Sequence, residues 1–132
     1  MRIPSYVWFK EGKEKELLEE FQQCLPRTQM LMEDMGRYFV NHGHQMIVTD
    51  IMSDEMEDEA LGRVSKSHRE GRAFDFRTRG LSKDFLDGVE KRFEHIYKHW
   101  AAISAKSLQP ELIVYHNNGN GQHGHVQIRS YK

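Results

Sequence analysis

The chain has 132 residues, 38% of them apolar and 30% charged, with 19 Lys+Arg against 20 Asp+Glu and a formal net charge of −1. That length suits one domain with a hydrophobic core of its own, and the charge balance rules out the globally basic character of a protein that coats nucleic acid or an anionic membrane. Cys24 is the only cysteine, so no intrachain disulfide forms, and no apolar run approaches a transmembrane length. Residues 1–25 carry charges every few positions and no apolar h-region, which predicts a product made in the cytoplasm without a signal peptide. To act outside a cell it would need release or export. Glu11 to Leu25 reads as a helix, with Leu17, Leu18, Phe21 and Leu25 at helical spacing. Pro26 ends it or opens the next. Arg27 to Asn41 reads as a second helix that turns Met30, Leu31, Met35, Tyr38 and Phe39 to the core, and Gly43 is a natural stop. Gln45 to Met52 and Ala73 to Arg77 read as strands. Ser82 to Ser104 is the longest helix expected, capped by Ser82, with Phe85, Val89, Phe93, Ile96, Trp100 and Ile103 on one side. Leu112 to His116 is a further strand, Asn117 to Gly121 a turn, and His123 to Tyr131 the last strand. Helices first and a hairpin last predict a single α+β domain, residues 1–132, with a mainly antiparallel sheet.

Side chains alternate across a strand. Ala73, Asp75 and Arg77 therefore share one face, and Phe74 and Phe76 share the other, where a core can take them. His123, His125, Gln127 and Arg129 alternate with Val126 and Ile128 in the same way. Two strands thus each present a polar face with metal-type ligands. Two histidines and one carboxylate, with a fourth position open to water, form a catalytic zinc arrangement. Spacing by itself leaves the choice open, because a solvated loop followed by an ordinary strand also explains a histidine seven residues before an aspartate.

The segment SHREGRAFDFR resembles the first signature of the zinc D-Ala-D-Ala peptidases and related phage endolysins, a family that shares its fold with the Hedgehog signalling domain. His68, Gly71, Ala73 and Asp75 carry the match, and Arg72 and Arg77 are also typical of phage members. HGHVQIR, from His123, resembles the family's second signature, a His-x-His on a late strand. The resemblance covers about Gln45 to Arg129. It implies a Hedgehog-like fold, zinc held by His68, Asp75 and His125, and hydrolysis of an amide bond in bacterial cell-wall peptide; separately, the charge balance and the lack of an apolar span predict no nucleic-acid partner and no membrane insertion, and a monomer is expected. The resemblance also implies that His123 assists catalysis without binding metal.

This sequence departs from the family at three places. Gln122 stands where the family has its acidic general base, three residues before the last ligand. An amide orients water but takes no proton at neutral pH, so Gln122→Glu is expected to raise activity. The segment before the first signature, VTDIMSDEMEDE, lacks the family's substrate-binding arginine, and Lys66 replaces a serine. His116 and His123 are candidates to supply a base or an oxyanion partner. Arg77, among the basic residues Arg63, Lys66, Arg69, Arg72 and Arg79, is a candidate to bind a substrate carboxylate. The alternative is a binding or structural domain that has kept zinc and lost hydrolysis, and Gln122 favours it.

Other clusters have simpler readings. His95 and His99 are four apart on the expected helix, but no glutamate follows His95 in the zincin position. His42 and His44 suit the negative end of a helix dipole. Asp54 to Glu59 lacks the glycine and spacing of an EF-hand and reads as an acidic turn or short helix. Cys24 lies by an apolar helix side and is expected to be buried.

Overall fold

The computed structural model describes residues 3–62, 66–103, 107–118 and 121–130. In chain order these form β1 (Val7–Phe9), α1 (Glu14–Gln23), α2 (Pro26–Asn41), β2 (Met46–Asp50), α3 (Glu55–Ala60), β3 (Ala73–Arg77), α4 (Lys83–Ile96), β4 (Ala102–Ile103), β5 (Pro110–Glu111), β6 (Ile113–Asn118) and β7 (Gly121–Gln127). The fold is α+β, as expected. A five-stranded sheet runs β1-β2-β3-β7-β6, and β4 pairs with β5 in a small ladder. Only the β1–β2 pair of the large sheet is parallel. Phe74, Phe76 and Val126 form a core with Leu17 and Phe21 of α1, Leu31, Met32, Met35 and Phe39 of α2, and Val89 and Phe93 of α4. Polar alternates on β3 and β7 are thereby turned to the opposite face. Among the described residues, no helix is long and apolar enough to cross a membrane.

Several boundaries differ from the expected ones, each for a local reason. Gly12 has φ +84°, outside the right-handed helical region, so α1 starts at Glu14 and not at Glu11. Cys24 is extended and Pro26 takes the first turn of α2, so α1 stops at Gln23. The buried stripe of α2 passes through Thr28, Leu31, Met32, Met35, Gly36 and Phe39. Met32 is in the core, while Met30, expected there, is exposed. Gly36 lies where an added Cβ would stand 2.4 Å from the Tyr6 carbonyl oxygen, which lets the bend leading into β1 cross α2 closely.

The largest correction is to the long helix. Ser82 caps α4, its side chain accepting from the Phe85 N–H at 3.1 Å, but the helix ends at Ile96. The Trp100 N–H turns back to the Tyr97 carbonyl, Ala101 bridges Ile128, and Ala102–Ile103 pairs with Pro110–Glu111. Sheet pairing has claimed a segment whose apolar spacing also suits a helix. Ile96 and Ile103 are accordingly exposed. Ser104 lies outside the described residues. The final hairpin is also longer than expected, with the ladder continuing through Asn117↔Gln122 to Asn118↔Gly121. Its tip, residues 119–120, lies outside the described residues, as does Tyr131 at the end of the expected last strand. The three-residue β1 has too few residues to show any periodicity.

Candidate metal centre

The site begins with strand register. β3 and β7 pair antiparallel, with Asp75 opposite His125 and Arg77 opposite His123. On the other side of β7, His116 of β6 is opposite His123. Because Phe74 and Phe76 occupy the core, Asp75 projects from the other face together with His123 and His125. Asp75 is nevertheless only 7% exposed, because the turn carrying His68 folds over it.

That turn is held by the Arg72 N–H donating to the Ser67 carbonyl at 2.8 Å and the Gly71 N–H donating to the His68 carbonyl at 3.1 Å. Gly71 has φ +71°, and a Cβ there would stand 3.0 Å from Cys24 Cα. Its carbonyl accepts from the Thr28 hydroxyl at 2.7 Å and from the Leu25 N–H at 3.1 Å. The glycine therefore clasps the histidine turn to the α1–α2 junction, and its value is that close approach. Arg69 adds a second anchor to α3, pairing with buried Asp58 at 3.0 Å, while Ser53 donates to the same carboxylate at 2.6 Å. The acidic segment is a short helix capped by Asp54, and one of its acids holds the ligand turn in place.

His68, Asp75 and His125 each offer a ligand atom, all within 4.8 Å of one another. Among the described residues, this is the one group of His, Cys, Asp and Glu arranged to hold a metal ion. His68 Nδ1 is 2.8 Å from the Ile51 carbonyl oxygen, which can only accept, so Nδ1 carries a proton, and Nε2 lies 3.2 Å from Asp75 Oδ1, to which it donates when the ring is a cation. His125 is reversed, with Nδ1 at 2.8 Å from Asp75 Oδ1 and Nε2 at 3.0 Å from Gln127 Oε1. Each ring turns one nitrogen to the carboxylate and anchors the other, the pattern by which outer partners orient metal-binding histidines. The donor set fits a divalent metal ion.

The electrostatics agree. Burial pushes the Asp75 carboxyl up, but hydrogen bonds from His125 and His68 outweigh it and hold the group well below the usual carboxylate range. Burial pushes His68 down, and the Asp75 hydrogen bond and charge, with Asp50 adding, lift it above 6.5. In the metal-free protein, the Asp75 contribution to stability is present above its unfolded pKa and lost as pH falls through its depressed folded value. The His68 contribution is present below 6.5 and lost as pH rises through its raised folded value. A metal ion bound here would replace the His68 proton, so its affinity would fall as pH drops through that raised value, by about tenfold per pH unit for each proton displaced. Competition titrations with a chelator across this range will show the proton dependence beginning above pH 6.5.

The remaining expected site residues separate into two groups. His116, His123 and His125 gather, with ring centroids 5.1 Å apart for His116–His123 and 6.3 Å for His116–His125. Arg77 lies on the same face and is paired with exposed Glu11 at 3.5 Å. Gln122 is not brought in. β7 runs in regular register from Gly121, so Gln122 alternates with His123 and His125 and is exposed on the other face. Other basic residues already have partners: Arg69 holds Asp58, and Arg72 holds Glu70 and the Ile128 carbonyl. Lys66 is exposed, while Arg63 and Ser65 lie outside the described residues.

The rival clusters disperse. α4 ends before His99, so His95 and His99 do not share a helix, and both are exposed. His42 is hydrogen-bonded to the Tyr38 carbonyl at 2.8 Å and packs tilted against the Tyr38 ring. Cys24 is buried, its thiol pushed up to about 12 by burial. Gln127 and the Ile51 carbonyl are the parts of the centre that motif reading missed. The signal for Gln127 was available, because it is two residues from His125 on the same strand face. The Ile51 carbonyl had none, since a backbone oxygen leaves no mark in a sequence. Comparison with protein-family models, curated proteins and solved structures returns no match.

Proposed function

We propose that this chain is a zinc-dependent hydrolase of amide bonds in bacterial cell-wall peptide, of the endolysin or carboxypeptidase type, on a Hedgehog-like fold. One observation carries the reading: His68, Asp75 and His125, separated by up to 57 residues, converge beside a second pair of imidazoles on one sheet face. Two imidazoles and a carboxylate suit zinc with one position left for water. Bound zinc would polarise the scissile carbonyl and bring the pKa of its water toward ~7. His123 and His116 stand beside His125 and are the groups placed to accept a proton, return it to the leaving amine, or hydrogen-bond an oxyanion. Arg77 can exchange exposed Glu11 for a substrate carboxylate. A monomer suffices for such a substrate, because the three ligands and both neighbouring imidazoles come from one chain.

The register changes what is expected of Gln122. A glutamate there would stand on the other face of β7, so Gln122→Glu is expected to leave hydrolysis within about twofold of wild type, a surface-level effect. His123→Ala should lower it by about 10²-fold, the low end for a general acid–base group. Release of free amine from defined muropeptides measures both, with chelator and His125→Ala as zero controls. A second reading, a zinc-bearing binding or structural domain without hydrolysis, is favoured by the same observation: the position of the acidic base holds an amide turned away from the ligands. Zinc-loaded wild type no more active than the controls on every fragment would establish that reading instead.

A further inference from the structure

His68 is connected to a carboxylate that does not touch it. Its Nδ1–H donates to the Ile51 carbonyl at 2.8 Å. The amide of that same peptide unit, the Met52 N–H, donates to Glu20 Oε1 on α1 at 2.8 Å. A single peptide plane therefore lies between a carboxylate and an imidazole, accepting at one end and donating at the other. Hydrogen bonds in series polarise one another in a low-dielectric interior. A negative charge at the amide end makes the carbonyl end a stronger acceptor, and a stronger acceptor at Nδ1 makes Nε2 a better donor to a metal. Direct carboxylate–histidine contacts do this at many metal sites.

We infer that Glu20 is a positioning residue for the metal centre, acting on His68 through the Ile51–Met52 peptide. The inference rests on the metal reading of the His68–Asp75–His125 group. The placement of Glu20 is hard to explain as solvent-facing charge. Its carboxylate is half-buried, it lies near Asp50, Glu57 and Glu16, and among the described residues the favourable contact that offsets them is the Met52 N–H. The register of α1 against the β2–α3 connection holds it there, 32 residues from its partner.

A merely structural anchor and a charge relay differ in their response to Glu20→Gln. The amide keeps an oxygen that can accept from the Met52 N–H, so loop anchoring survives and only the charge is lost. Zinc affinity, measured by competition with a chromophoric chelator, is expected to fall about tenfold in Glu20→Gln, the low end for outer partners of metal ligands. The thermal midpoint of the metal-free protein is expected to stay near wild type. Asp34→Asn is the control. It neutralises a carboxylate hydrogen-bonded to the Tyr97 hydroxyl, whose contact leads to no ligand, and it should leave zinc affinity unchanged. Zinc affinity of Glu20→Gln within twofold of wild type overturns the inference. If wild type holds no zinc, the metal reading fails. The relay is then judged on the metal-free protein alone, from the proton resonance of His68 Nδ1–H. An upfield move in Glu20→Gln supports it, and an unchanged resonance overturns it.

Discussion

Asp75→Ala is expected to remove metal binding and to destabilise the metal-free protein by about 3–5 kcal/mol at neutral pH, the range for breaking a buried ion pair. Asp75 Oδ1 accepts from both His125 and His68, and His68 is itself only 3% exposed. Without the carboxylate, His68 keeps its burial and loses its counter-charge. The loss of metal affinity should exceed about 100-fold, because outer partners of ligands alone are worth 10–100-fold. The stability difference has a pH signature. The carboxyl is depressed in the fold, so its contribution is complete above the unfolded value of 3.8 and disappears as pH falls through the folded value. Wild type and variant should therefore converge in acid. Denaturant unfolding of chelator-treated protein over pH measures this, and elemental analysis measures the zinc. His68→Ala should lose zinc similarly, whereas a His95→Ala, His99→Ala double variant should keep it. The reverse pattern would move the site to His95 and His99, at and beyond the end of α4.

Gly124→Ala is expected to cost about 1–3 kcal/mol of stability, the usual range for overpacking a core, and to weaken metal binding with it. Gly124 lies opposite Phe76 across the β3–β7 ladder, and a Cβ there would stand 2.4 Å from Phe76 Cζ, 2.6 Å from Cε1 and 3.0 Å from Cε2. The ring has nowhere to move. It is fully buried, edge-on to Phe39 and to Tyr115 and tilted against Phe74. The strain must then separate β7 from β3 at the step between His123 and His125. Since Asp75 and His125 meet only through that ladder, a small separation degrades the ligand geometry. Thermal unfolding with and without zinc tests both parts. Lost stability with unchanged zinc affinity would show that the ladder relaxes elsewhere.

Asp75 and His125, the strand members of the candidate ligand set, were legible through alternation, whereas His68 stands on a turn and was pointed to only by the resemblance of its segment. Phe74 and Phe76 had to be buried, which left Asp75 on the other face whatever the fold, and Val126 did the same for His125. Local chemistry likewise determined the start of α2 at Pro26 and the Ser82 cap of α4. What lay beyond the sequence was pairing between distant segments. The residues after Ile96 have helical spacing, yet Ala101 bridges Ile128 and Ala102 faces Glu111, because backbone groups of a sheet edge are satisfied more completely by a neighbouring strand than by solvent. Gln122 shows the same limit at the site. Three residues before a ligand is a meaningful distance where the chain bends, but the ladder continues unbroken through Gln122, and alternation turns its amide to the other face. Apart from Gln127, which shares a strand face with His125, the outer partners came from tertiary structure alone. Ile51 lies 17 residues from His68 and Asp58 lies 11 from Arg69, and only the packing of α1, α3 and the histidine turn brings them together. Strand periodicity thus determined that Asp75 and His125 could share a face, and long-range pairing and packing decided that the His68 turn meets them there.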